Sequence, residues 1–346
     1  RHLFSEILDN ALDECQCGYS DRVIVKVDTK ENKYTVTDFG RGIPHGTKTL
    51  EDGSQVDILE VLCTKSNSGG KFDKGAYLVS SGLHGLGMTC TNALSKYFSI
   101  KSIREGKVER IVCEYGKKAF IESNGWDDSH GTTVEFIPDE SCFPSGVIPI
   151  DFIVNRCRIA SSFGMLTELY VDGNKVDTNS TIFDMIEQDD EVSTYGQTEF
   201  KVIDEDTSEF VKIALRYTSD TSWYYRGFTN LLPNQSGGTH YRMFDDAVVM
   251  AWRKYDLPEL LDKDFFVGIK AVIAVFLSET SFSSQTKEKL TVDKKYLARF
   301  VPMIADQIYN WLESNPEIRD GLIKRFREHR AYINKSVSQK EIQQLI

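Results

Sequence analysis

The spacing of apolar and polar positions changes along this chain, and each change marks an element. Over residues 3–15, Phe4, Ile7, Leu8, Ala11 and Leu12 recur at helical spacing, with Glu6, Asp9, Asn10, Asp13 and Glu14 on the opposite side. That spacing predicts an amphipathic helix. The period then shortens to two over residues 22–28 and again over 33–38, with a short polar connection, which predicts a hairpin. A helix is expected over 57–63. Residues 64–87 lose both periods and collect Gly69, Gly70, Gly75, Gly82, Gly85 and Gly87. They read as one long loop, and long loops inside compact domains are usually functional. A helix over about 86–95 and strands over 97–103, 107–115 and 132–137 follow.

The acidic, poorly periodic stretch Glu187-Gln188-Asp189-Asp190-Glu191 reads as a linker. It sets a boundary near residue 188, giving domains 1–188 and 189–346. Strands are expected at about 210–217, 222–230 and 267–278, and a helix at about 240–255. The last forty residues read as mostly helical, with Trp311, Leu322, Ile323 and Phe326 as spaced apolar positions. No internal repeat is visible, and 346 residues suffice for two domains.

Composition narrows the class. A hydrophobic share of 40% with 27% charged residues is that of a soluble globular protein. No apolar run reaches the roughly 18 residues that suggest a membrane span. Arg1-His2-Leu3-Phe4 lacks the basic start and apolar core of a signal peptide. The net charge of −11 excludes a uniformly basic coat for DNA. Contact with nucleic acid would need local patches, such as Arg325, Arg327 and Arg330, or Lys294 and Lys295, which equally suit solvated helix faces. Cys15, Cys17, Cys63, Cys90, Cys113, Cys142 and Cys157 are odd in number and form no paired CxxC units. Neither a zinc site nor a disulfide framework is indicated, and a reducing cytosol fits.

Four constellations carry candidate chemistry. Glu6, Asn10 and Asp13 stand at i, i+4 and i+7 and share a helix face. The Asn10 amide oxygen suits Mg²⁺, which takes a few protein oxygens and otherwise phosphates and water. Glu6, one turn away, could take the proton of a water attacking a γ-phosphate. The same residues also suit a solvated face. In Asp38-Phe39-Gly40-Arg41-Gly42-Ile43-Pro44 the carboxylate at a strand end can accept from an adenine amino group and would repel a guanine carbonyl. Its two glycines let backbone approach a base closely; a plain β-turn also fits. Asp38-Phe39-Gly40 mimics the kinase metal motif, but the kinase catalytic loop and lysine strand are missing, so that reading is rejected. Ser81-Gly82-Leu83-His84-Gly85-Leu86-Gly87 leads into a helix, where amides and the helix start can cradle phosphate. It is not a GxxxxGK[ST] P-loop, and His84 alone would also suit packing or capping. Thr132, in Gly131-Thr132-Thr133-Val134 where a strand begins, could reach an adenine edge directly or through water.

Together, ExxxN, DxGxG, GxxGxG and GT, in this order, resemble the signature of the GHKL ATPases, which include gyrase-type topoisomerases, heat-shock chaperones, MutL-type repair proteins and sensor histidine kinases. The stretch Ser5-Glu6-Ile7-Leu8-Asp9-Asn10-Ala11-Leu12-Asp13-Glu14 is similar to the gyrase B and topoisomerase II form of the first motif. Gly69-Gly70-Lys71-Phe72-Asp73 and Ser81–Gly87 follow that branch, as do Gly237-Gly238-Thr239-His240 and Ser283-Ser284-Gln285-Thr286-Lys287 in the second half. The likeness runs from residue 1 to about 330.

The resemblance implies an α+β chain: a GHKL (Bergerat) two-layer α/β sandwich, then a transducer domain with a left-handed βαβ crossover and a long C-terminal helix. It implies ATP hydrolysis with Mg²⁺ by the ATPase part of a gyrase B-like chain of a type IIA topoisomerase. Glu6 would be the general base and Asn10 the Mg²⁺ ligand, with Asp9 and Asp13 supporting the helix face. Asp38 would read adenine with Thr132 beside it. Arg41 would pair with Glu14, next to Gly42 and Ile43 at the nucleotide. Lys71 and Tyr77 would belong to the ATP lid, and Gly82, Leu83, His84, Gly85, Leu86 and Gly87 would wrap the phosphates. Gln285 and Lys287 of the second domain would serve the γ-phosphate, so that domain orientation depends on hydrolysis.

The implied partners are a second copy joined through the ATPase domains, a DNA-cleaving A-type subunit or region, and double-stranded DNA, with no membrane. The implied location is cytoplasmic, or nuclear in a eukaryote. Phe39 stands where Asp or Asn is usual and Ser81 where Gly is common, which bears on pocket shape rather than on the main ligands. The sequence opens inside the first motif, so the arm that crosses to the partner copy is expected outside it, as is any TOPRIM region. Two alternatives are a GHKL clamp of repair or chaperone type without strand passage, and a nucleotide-binding module without catalysis.

Overall fold

Alternation produces the first strands where the sequence places them. In the computed structural model, which describes residues 1–49, 53–65, 87–143, 146–186, 191–284 and 287–344, the hairpin strands are Arg22–Asp28 and Lys33–Asp38. The chain forms two compact units, Arg1–Thr181 and Ile182–Ile346. The boundary expected near residue 188 falls among 187–190, outside the described residues.

The first unit runs α1 (His2–Gln16), β1 (Arg22–Asp28), β2 (Lys33–Asp38), β3 (Thr47–Thr49), β4 (Gln55–Asp57), α2 (Ile58–Thr64), α3 (Gly87–Ala93), β5 (Ser95–Arg104), β6 (Lys107–Glu114), β7 (Lys117–Trp126), β8 (Gly131–Pro138), α4 (Ile150–Ser162), β9 (Leu166–Val171) and β10 (Asn174–Val176). Eight strands form one sheet in the order β10-β9-β1-β2-β8-β5-β6-β7. Neighbours are antiparallel except β1 and β9. Helices α1 to α4 pack on this sheet, giving a two-layer α/β arrangement. Phe4 and Leu8 of α1 are buried with Val23 and Val25 of β1 and Tyr34 and Val36 of β2. Tyr34 stacks on Phe136 of β8 at 5.3 Å between ring centroids, so the core lies beneath the hairpin.

The face of α1 opposite its apolar stripe is not solvated throughout. Asp9, Asp13 and Glu14 are buried. Asp9 pairs with Arg156 of α4, which is itself 4% exposed, and Glu14 pairs with Arg41. A buried carboxylate needs a partner of this kind, because an uncompensated charge in the interior is costly.

The second unit runs β11 (Thr194–Ile203), β12 (Phe210–Thr218), β13 (Tyr224–Thr229), β14 (Leu232–Asn234), α5 (Thr239–Trp252), β15 (Ile269–Phe276), α6 (Lys294–Leu297), α7 (Phe300–Ser314) and α8 (Pro316–Gln344). Its sheet order is β11-β12-β15-β13-β14. Strands β13 and β15 are parallel neighbours, and α5 lies in the chain between them, a βαβ crossover. Strand β15 sits at the centre, and its Ala271-Val272-Ile273-Ala274-Val275-Phe276 run is buried on both faces, as continuous apolar strands of covered sheets are. Trp252 of α5 is fully buried and donates its indole N–H to the Tyr217 hydroxyl at 3.0 Å.

Three basic residues of α8 are used within this unit. Arg325 donates to the carbonyls of Ser219 and Asp220, Arg327 pairs with Glu259, and Arg330 pairs with Asp264. Lys294 pairs with Asp246. Among the described residues, no helix is long and apolar enough to cross a membrane.

Candidate functional site

Strand β2 buries every second residue: Tyr34, Val36 and then Asp38. The carboxylate therefore occupies a position whose phase calls for an apolar side chain. It is 6% exposed, and its Oδ1 accepts the N–H of Gly40 at 2.9 Å and that of Thr132 at 3.3 Å. Thr132, also buried, opens β8 beside β2, whose register pairs Val36 with Val134. Burial lifts the Asp38 carboxyl from its ordinary 3.8 to about 7. The amides of Gly40 and Thr132 pull it down, and the nearby Glu14 charge pushes it up. Both amides use Oδ1, so Oδ2 takes no part in these two bonds.

The turn after Asp38 is built without side chains at the closest approaches. A Cβ on Gly40 would lie 2.4 Å from Glu14 Oε2, one on Gly42 would lie 2.3 Å from the Ile103 carbonyl, and one on Gly131 would lie 2.1 Å from the Asp38 carbonyl. Gly42, at φ +71°, adopts the left-handed conformation that glycine accepts at least cost. Glu14 accepts the Arg41 backbone N–H at 2.9 Å and its guanidinium at 2.7 Å. The guanidinium also lies 3.7 Å from the centroid of the Tyr19 ring. Beyond it, the Ile43 carbonyl accepts from Ser102 Oγ and the Gly42 carbonyl from Arg104.

On α1, Glu6 and Asn10 are half-buried, one turn apart. A Cβ on Gly87, at the start of α3, would come within 2.4 Å of Glu6 Oε2, so this glycine admits the Glu6 carboxylate. The donor set of Asn10, a neutral amide oxygen beside a carboxylate, fits the hard-oxygen preference of Mg²⁺. Gly40 and Gly42, which carry no Cβ, and the buried acceptor Asp38 fit the flat base and amino group of an adenine nucleotide.

The first unit thus brings Glu14, Asp38, Gly40, Arg41 and Thr132 into direct contact, and Glu6 against Gly87. Lys71, Tyr77, Gly82, Leu83, His84, Gly85, Leu86 and Gln285 lie outside the described residues. Lys287 belongs to the second unit, where its backbone takes φ +58° and its carbonyl accepts from Asn234 Nδ2 at 3.0 Å. Four supporting residues escape sequence reasoning. Ser20 accepts the Phe39 N–H at 3.0 Å, the His130 ring nitrogen Nδ1 lies 2.7 Å from the Gly40 carbonyl, Arg156 holds Asp9, and Asn234 holds Lys287. Only His130 carried a local signal, its place directly before the Gly-Thr pair.

Residues 1–141 match the model of the histidine kinase-, DNA gyrase B-, and HSP90-like ATPase family, and residues 170–341 match that of DNA gyrase B. The gyrase B protein of Borreliella burgdorferi is 30% identical over 308 residues, covering 84% of this chain and 48% of that protein. That of Clostridium acetobutylicum is 30% identical over 335 residues, covering 92% of this chain and 52% of that protein. The chain therefore spans about half the length of these curated relatives. The structure of the 43K ATPase domain of Thermus thermophilus gyrase B superposes with a TM-score of 0.75 at 22% identity, covering 99% of this chain and 92% of that one. The ATPase region of Saccharomyces cerevisiae topoisomerase II gives 0.66 at 18% identity, covering 90% of this chain and 85% of that one. These two likenesses establish the mixed α/β fold.

Proposed function

The chain is a member of the GHKL ATPases, an ATPase domain followed by a DNA gyrase B domain, and we propose that it binds ATP with Mg²⁺ in its first unit and hydrolyses it as the ATP-driven, gyrase B-like part of a type IIA topoisomerase. The observation that carries this reading is Asp38: a carboxylate buried in an apolar strand phase, tied to Thr132 and to a glycine turn fastened on α1.

In this reading Asp38 accepts the adenine amino group, with Thr132 beside it and the Gly40, Arg41, Gly42 and Ile43 backbone against the base. Glu6 takes the proton of the attacking water. Asn10 holds Mg²⁺, which would supply charge neutralisation at the phosphate oxygens. Asp13 supports the helix face. Lys71 and Tyr77 belong to the lid, and Gly82 to Gly87 cradle the phosphates. Gln285 and Lys287 serve the terminal phosphate. The first unit is the ATPase domain and the second the transducer domain. The partners of this reading are a second copy, a DNA-cleaving A-type subunit or region, and double-stranded DNA.

Phosphate release tests it. The expected result is Mg²⁺-dependent hydrolysis of ATP, little hydrolysis of GTP, and stimulation by duplex DNA when the cleaving partner is present. Equal turnover of GTP, or no Mg²⁺-dependent release from ATP, would remove the reading.

A further inference from the structure

Lys287 takes the left-handed backbone conformation, φ +58°, which L-residues with long side chains avoid. Such a conformation persists only where its surroundings over-determine it, and here they do. Its amide donates to the Ser284 carbonyl at 3.1 Å, and its carbonyl accepts from Asn234 Nδ2 at 3.0 Å. Just beyond, the Glu288 carbonyl accepts from the Ser236 amide at 3.0 Å, Leu290 N–H donates to the Gly237 carbonyl at 3.1 Å, and Thr239 N–H donates to the Leu290 carbonyl at 3.1 Å. The segment after Lys287 is thus stitched to the turn that starts α5.

Asn234 is itself fixed. Its Oδ1 accepts the Thr229 hydroxyl at 2.7 Å, with Thr229 fully buried and Asn234 2% exposed. The two residues sit on the two arms of the β13–β14 hairpin, where Gly227 pairs with Asn234 and Thr229 with Leu232. A carbonyl cannot donate, so Lys287 must receive the amide NH₂ and Thr229 must face the amide oxygen; one orientation of Asn234 satisfies both. A buried relay therefore runs from the hairpin to the Lys287 backbone.

We propose that Asn234, oriented by Thr229, is the positioning residue that holds Lys287 in the conformation from which its ammonium serves the terminal phosphate. This rests on the reading of Lys287 as a ligand of that phosphate. Asn234 touches no substrate and acts through the Lys287 backbone alone. Its effect is therefore selective for the triphosphate and vanishes when the lysine ammonium is gone.

The test measures affinity for an imido-bridged ATP analogue and for ADP, with Mg²⁺, in the protein at its full natural length. Lys287→Ala should weaken analogue binding and leave ADP binding unchanged. Asn234→Ala should weaken analogue binding about fivefold, the equivalent of one hydrogen bond, again with ADP unchanged. In the Lys287→Ala background, Asn234→Ala should add nothing. Thr229→Val should behave as Asn234→Ala, and Thr229→Ser, which keeps the hydroxyl, as the unaltered protein. Should Asn234→Ala not fold, Asn234→Asp keeps the volume, removes the donor and gives the same comparison.

An additive loss in the double variant, an equal loss of ADP affinity, or an Asn234→Ala protein with unchanged analogue affinity would overturn the proposal while leaving Lys287 its role. Undiminished analogue binding by Lys287→Ala would remove the role of Lys287 and the proposal with it.

Discussion

Glu14 holds Arg41 by both backbone and side chain: Oε2 accepts the Arg41 backbone N–H at 2.9 Å and its Nε–H at 3.3 Å, and Oε1 accepts the guanidinium at 2.7 Å. The carboxylate lies so close to the neighbouring Gly40 that a Cβ there would collide with it. Helix α1 and the turn after Asp38 are fastened by this one side chain. Glu14→Ala should lower the unfolding free energy by about 2–3 kcal/mol, the scale of charge-assisted hydrogen bonds whose partners are left stranded. Glu14→Gln, which keeps one acceptor, should cost less. A denaturant melt checks this: the midpoint should fall at constant slope.

Gly87 and Glu6 give a second, independent test. A methyl group on Gly87 would sit 2.4 Å from Glu6 Oε2, so Gly87→Ala should push the carboxylate out of place. Displacing a reacting group by about 1 Å can cost on the order of a hundredfold in rate. Hydrolysis should fall by at least tenfold with the melting temperature little changed. A Gly87→Ala protein that hydrolyses ATP at the unaltered rate would detach Glu6 from the chemistry.

Asp38 predicts a pH dependence. Its carboxyl is raised from 3.8 to about 7 by burial. A raised folded-state value means that the folded chain holds the proton more tightly. Its contribution to stability is therefore full below about 4 and lost as the pH rises through about 7. Asp38→Asn should remove that part of the pH dependence in thermal melts of the nucleotide-free protein. An adenine amino group donating to Asp38 favours its ionised form. ATP binding near pH 6.5, between the two values, should then release protons. Calorimetry in two buffers of different ionisation heat reads this directly, and binding without proton release would remove Asp38 from base recognition.

Much of this was legible from residue order, and the parts that were not have physical reasons. The α1 stripe and the β1–β2 hairpin follow from period, and β15 from its unbroken apolar run, because in each the buried side chains carry the pattern. Helix α4 escaped because Asn155, Arg156 and Arg158 interrupt its apolar positions, and Arg156 is buried with the distant Asp9 as an ion-pair partner. Strand β7 carries Lys117, Lys118 and Gly125 and leaves Phe120 and Trp126 exposed, so neither alternation nor burial marked it. Strand β11 is an edge strand with mostly exposed or half-exposed residues. At the candidate site, Asp38 was readable from its strand end and its glycines, and the pairing of Arg41 with Glu14 came from the family resemblance. Ser20 and Asn234 were not, because each acts through a backbone group that only the folded chain brings near.

In the second unit Glu209 is fully buried. It accepts the Tyr296 hydroxyl at 2.7 Å and the Ser278 amide at 2.6 Å, and pairs with Arg299. Both ends of the segment that carries Lys287 are thereby tied to one carboxylate. Glu209→Ala should cost about 2–3 kcal/mol, the scale of stranding the buried Ser278 and Tyr296 donors, since Arg299 keeps Asp204. A thermal melt that moves by only a degree or two would contradict this.

In the proposed function, hydrolysis depends on Glu6 as the group that takes a proton from the attacking water. The most direct test is to measure ATP affinity and the single-turnover hydrolysis rate side by side for Glu6→Ala. The expected protein binds ATP with Mg²⁺ as tightly as the unaltered chain and hydrolyses it at least about a hundredfold more slowly, the scale of general-base catalysis. Hydrolysis at the unaltered rate would contradict that role.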